Sequence, residues 1–104
     1  MVMQTIQMTY DSALRALKEL REEFGYYLWF SRDVEVYEQS GSILQSLSDE
    51  KRPPTKQELR VLIDLFDSFA HAGAPPSRAF DIAERARDGL DFLHRLAGIE
   101  PPSR

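Results

Sequence analysis

Apolar positions recur at three-and-four spacing along most of the chain, and that period predicts helices nearly throughout. Thr9 stands as the cap of a first helix, after which Tyr10, Ala13, Leu14, Leu17, Leu20, Phe24 and Tyr27 form one inner stripe. Arg15, Lys18, Glu19, Glu22 and Glu23 take the opposite face. Asp11 with Arg15 and Lys18 with Glu22 have the spacing of one-turn ion pairs. The helix is expected to run to about Phe24, where Gly25 interrupts it.

Residues 26–37 are ambiguous between helix and strand. "YYLWF" and "VEVY" both suit strands, but no Asn-Gly or Asp-Gly turn separates them, and an isolated strand pair is marginal in water. Helix is preferred, either continuing from the first or restarting with Ser31 or Asp33 as cap. Its inner face is expected at Val34, Tyr37, Leu44 and Leu47, with Gly41 between them and Ile43 beside it, although "SGS" at 40–42 could break it.

The next signals are sharper. "SDEKRPPT" at 48–55 is a polar loop, and Thr55 with Glu58 is a capping box that opens a third helix. Leu59, Leu62, Ile63, Phe66, Phe69 and Ala70 should face inward, and Gly73 should stop the helix. "AGAPPS" is then a short turn with Ser77 as the next cap. A fourth helix should bury Ala79, Ile82, Ala83, Ala86, Leu90, Leu93 and Ala97, turn Asp81, Arg85, Asp88 and Arg95 outward, and end at Gly98. Its alanines would admit a neighbouring helix closely. The short third connection makes the last two helices antiparallel. The expected fold is all-α, a small antiparallel bundle of three to four helices: a flexible N-terminus over 1–8, one domain over 9–98 and a tail over 99–104.

Composition narrows the function. The 104 residues are 42% hydrophobic and 29% charged, within the globular range. No apolar run approaches the roughly 20 residues that cross a bilayer, and "MVMQTIQMTY" lacks the basic and apolar regions of a signal peptide, so the expected setting is cytoplasmic. The absence of cysteine excludes disulfides, thiol catalysis and thiolate metal sites. The net charge of −4 resides between Arg32 and Glu50, where one base stands against Asp33, Glu35, Glu38, Asp49 and Glu50. Without a basic stripe, nucleic acid is not an expected partner.

Catalytic patterns are sparse. Asp67 precedes His71 by four residues and Asp91 precedes His94 by three. The pairs suggest helical metal sites with Glu35 and Glu38 as the remaining ligands, but both histidines fall at helix C-termini, where an imidazole suits the dipole. No metal and no cofactor is expected. No serine elbow, HExxH or phosphate-cradling glycine loop is present, and the protein is not expected to be an enzyme. The alternative lies in "RDGLDFLH", residues 87–94. Its Arg87-to-His94 spacing resembles the motif of the HEPN ribonucleases, small all-helical and often dimeric domains. That resemblance covers eight residues and implies an RNA-cleaving enzyme or toxin component, with Arg87 as phosphate clamp and His94 as acid or base; the flanking Asp88 and Asp91 would repel phosphate.

"EFGYYLWFSRD" at 23–33 carries the remaining weight. Five consecutive helical residues turn through about 500 degrees, so Tyr26, Tyr27, Leu28, Trp29 and Phe30 cannot share one face. A bundle this small covers one stripe per helix, and Tyr and Trp combine apolar area with a hydrogen-bonding edge. The expected interface is therefore Tyr26, Tyr27, Trp29, Phe30, Asp33, Glu35, Tyr37 and Glu38. It would serve a second copy of the chain or another protein, in a regulatory, inhibitor, immunity or chaperone-like accessory role.

Overall fold

The computed structural model describes residues 8–28, 30–72 and 76–100. The first helix, α1, spans Tyr10–Phe24. Thr9 caps it as expected: its hydroxyl accepts from the Ser12 amide at 3.1 Å, and the Ser12 hydroxyl accepts from the Thr9 amide at 2.7 Å. Ala13, Leu14, Leu17, Leu20 and Phe24 are buried, and so are Ala16 and Glu23. Glu23 was expected outside. The covered face is broader because α1 touches all three other helices. Neither expected one-turn ion pair on α1 closes among the described residues; Lys18 instead donates to Ser48 Oγ at 2.6 Å.

The chain then turns a corner. Gly25–Tyr27 form a 3-10 turn, and Leu28 and Phe30 are extended (ψ 111° and 156°). The second helix, α2, occupies Ser31–Glu50. The continuous helix considered for 26–30 is therefore absent, because the chain must reverse direction here. Nor do Ser31 or Asp33 cap the restart. Phe30 holds that position, its carbonyl accepting from the Asp33 and Val34 amides at 3.0 and 3.3 Å, while the Asp33 carboxylate accepts from the Phe30 amide at 3.3 Å.

The buried stripe of α2 is Val36, Ser40, Leu44 and Leu47. Leu44 and Leu47 match expectation; Val34 is 41% exposed and Tyr37 only half-buried. Ser40, fully buried, restores its lost hydration by donating to the Tyr37 carbonyl at 3.0 Å. The helix nevertheless runs through "SGS". At the far end Lys51 adopts the left-handed conformation (φ 52°, ψ 51°), its amide bonded to the Leu47 carbonyl at 2.9 Å.

The third helix, α3, spans Lys56–Ala70 behind the Thr55–Glu58 capping box, whose two bonds measure 3.1 and 2.9 Å. It buries Leu59, Leu62, Leu65, Phe66 and Phe69. Leu65 joins the expected set, whereas Ala70 is exposed and Ile63 half-buried. Gly73, the expected stop, lies outside the described residues. The fourth helix, α4, runs Pro76–Ala97, so Ser77 sits inside it rather than capping it. Proline at the first helical position loses no hydrogen bond, since that amide has no partner inside the helix.

Gly98 ends α4 at φ +70°, with its amide on the Arg95 carbonyl (3.1 Å) and the Ile99 amide on that of His94 (2.9 Å). Both bonds of a Schellman closure are present. Ile99 packs on the core, as does Met8 at the other terminus, one residue beyond 9–98 on each side. Residues 1–7 and 101–104, most of the expected flexible N-terminus and of the expected tail, lie outside the described residues.

The four helices contact one another in chain order and close the ring through α1 and α4, with α1 also touching α3 across the diagonal. This is an up-down-up-down bundle without strands among the described residues. The α1–α4 contact is the most extensive. It depends on Gly89: a Cβ there would lie 3.0 Å from the Ala13 carbonyl oxygen and 3.2 Å from its Cα. Fully buried Ala86 and Ala13 line the same close approach.

Candidate interaction surface

Antiparallel order gives the bundle two unlike ends. At one, α1 and α3 start while α2 and α4 finish. There the Tyr10 hydroxyl lies 2.8 Å from both the Leu47 and Arg52 carbonyls, to either of which it can donate. The Arg52 guanidinium makes a two-pronged pair with Glu58 at 2.7 and 2.8 Å and also pairs with Glu50. The guanidinium beside it holds the Glu58 carboxyl down at about 2. Burial pushes the Tyr10 phenol up. The Lys51, Thr55 and Glu58 amides and the Leu47, Arg52 and Pro53 carbonyls all find partners within this polar clasp.

The other end is built differently. The corner between α1 and α2 leaves Tyr26 74% and Phe30 73% exposed, although Leu28 packs onto the core. Tyr27, half-buried, and Phe30 line a groove of about 330 Å³ whose other walls are Arg32, Asp33, Asp67 and His71. The His71 ring donates from Nδ1 to the Asp67 carbonyl at 2.7 Å, which fixes the imidazole against its own helix. Val34, one turn beyond Phe30 on α2, is also exposed, and Phe80, 68% exposed in the second turn of α4, stands at the same end of the bundle.

The eight expected interface residues thus divide. Tyr26, Tyr27, Phe30 and Asp33 gather at this end. Glu35 and Glu38 are exposed on the outer face of α2. Tyr37 turns toward α1, its ring 3.8 Å beneath the Arg21 guanidinium. Trp29 lies outside the described residues. Phe80 was not among the expected interface residues, and Asp67 with His71, expected only as a candidate metal pair, lines the groove instead. The phase of α4 carried a signal for Phe80, which falls off the stripe that Ile82, Ala86, Leu90 and Leu93 define.

Isolated apolar side chains are ordinary on protein surfaces. Here two rings three-quarters bare flank one short corner, and the groove beside Phe30 carries both signs of charge. Compared with family models, curated proteins and solved structures, the chain finds no match.

The second histidine pairing lies elsewhere. His94 is 3% exposed and donates from Nδ1 to the Leu90 carbonyl at 2.7 Å, whereas Arg87 points into solvent. The two residues that resemble a ribonuclease motif occupy opposite environments, buried and open. Among the described residues no three His, Asp or Glu side chains converge on a possible metal position, and no helix is long and apolar enough to cross a membrane.

Proposed function

We propose that this protein is a small non-enzymatic interaction module whose aromatic end binds another polypeptide, in the first place a second copy of the chain. The observation that carries the reading is the exposure of Tyr26 and Phe30 beside the groove walled by Tyr27. Rings in such a position gain most when a partner removes them from water, and aromatic anchors of this type dominate binding energy at interfaces. The rim suits self-pairing, since Arg32 of one copy can meet Asp33 or Asp67 of the other across a twofold axis. The acidic outer face with Glu35 and Glu38 would steer a basic partner toward the same region, acting on encounter rate more than on affinity. A cytoplasmic role as regulator, inhibitor, immunity protein or chaperone-like accessory fits a chain without cysteine.

The test is the solution mass of the full chain by sedimentation, alongside the double variant Tyr26→Ser with Phe30→Ser. The expected result is a dimer for the natural chain and a monomer of unchanged helicity for the variant. A variant that dimerises like the natural chain would overturn the proposal, as would a natural chain that stays monomeric.

A further inference from the structure

Along the seam between them, α1 and α2 enclose a second groove of about 350 Å³. Arg21 dominates it. Its Nε–H donates to the Tyr37 carbonyl at 2.7 Å, and its guanidinium plane lies 3.8 Å over the Tyr37 ring. Position 41, beneath the plane, has no side chain: a Cβ there would lie 2.4 Å from Nη2. A glycine in a helix interior costs stability relative to alanine, and here its effect is to give the guanidinium a bed. Three contacts therefore fix the fork before any ligand arrives. Nη1 and Nη2 make no hydrogen bond among the described residues.

An immobilised guanidinium with its Nη1–Nη2 edge open matches the two oxygens of a carboxylate, which it can take in two parallel hydrogen bonds. Lys18 adds a second positive charge to the lining and Glu22 a negative one, while Leu44 and the Tyr37 ring supply an apolar wall. Glu38 stands at the outer mouth. One extra positive charge inside and a carboxylate at the entrance favour a monoanion over a phosphate dianion. We propose that this groove binds a carboxylate group carried on an apolar body, held side-on by Arg21. The carboxylate belongs either to a small organic acid or to the C-terminus of a peptide. This site is separate from the aromatic end, and its test does not depend on the oligomeric state.

The experiment titrates the isotopically labelled full chain with sodium benzoate, following the Arg21 Nε–H and Gly41 amide resonances by NMR. Inorganic phosphate serves as control at matched ionic strength. Saturating shifts with a Kd on the order of 1 mM are expected. Arg21→Lys keeps the charge but loses the fork and should weaken binding by about tenfold or more. Gly41→Ala should displace the guanidinium and abolish binding with helicity intact. A second arm compares the peptide Gly-Ala-Leu with its C-terminal amide. Tighter binding of the acid than of benzoate, with a silent amide, assigns the site to polypeptide termini; binding of benzoate with neither peptide assigns it to small acids. The proposal is overturned if benzoate gives no saturable shift, if phosphate shifts the same resonances equally, if the amide binds like the acid, or if Arg21→Lys binds unchanged.

Discussion

The two ends of the bundle solve the same problem, a chain reversal between helices, with opposite means. At the clasp end Tyr10, Arg52, Thr55 and Glu58 bind the loose backbone groups to one another, and the connection from α2 to α3 is closed by side chains of the chain itself. At the aromatic end the α1–α2 corner is closed by backbone and by Asp33, with rings facing water. The difference teaches where stability and recognition reside. Polar groups satisfied internally have little left to offer a partner, while apolar area left bare has a gain still to make.

Substitutions can break that contrast in order of their expected effect on folding. Glu58→Ala removes half of the capping box and the two-pronged partner of Arg52, and should cost about 2 kcal/mol. On a domain of this length that lowers the melting midpoint by roughly 10 °C. The same residue sets an acid limit. Its carboxyl titrates at about 2 when folded against an ordinary value of 4.5, so its contribution is complete above the ordinary value and is lost as pH falls toward 2. Chemical denaturation across that range should show stability declining in the natural chain and declining less in Glu58→Ala.

Tyr10→Phe leaves the ring in place but deprives the clasp of its hydroxyl, a loss of about 1 kcal/mol by denaturant titration. Lys51→Gly acts in the opposite sense, since a left-handed backbone suits glycine, and should raise stability by about 0.5–1 kcal/mol. The smallest effect belongs to the aromatic end. Phe30→Ser, with the ring already in solvent, should change monomer stability by less than about 0.5 kcal/mol, measured at protein concentrations below association. A loss of 2 kcal/mol or more there would make Phe30 a structural residue and erase the contrast.

Much of this was legible in residue order, and the failures have physical causes. Thr9, Thr55 with Glu58, and Gly98 announce helix boundaries because each makes a local hydrogen bond or adopts a backbone conformation that its residue type favours. The leucine stripes of α1 and α3 followed because their period is uninterrupted. The face of α2 was misjudged because apolarity alone skips Ser40, whose hydroxyl makes it fit for the core, and promotes Val34 and Tyr37 in its place. Pattern could not tell that Tyr37 has a cation from α1 lying on its ring, since Arg21 is sixteen positions away. The excess of rings at 26–30 was visible as a surplus of apolar area. The extended link beside Tyr26 and Phe30 was not, because the N-cap of α2 is Phe30, a residue with no capping oxygen of its own, and Asp33 acts from the third helical position instead.

The ring of helices closes through its first and fourth members, and this has a consequence for synthesis. While a ribosome is still short of Pro76, the face of α1 around Ala13 has not met its principal neighbour. Nascent chains of that length should be sticky and open to proteases, and the native bundle should appear abruptly once α4 emerges.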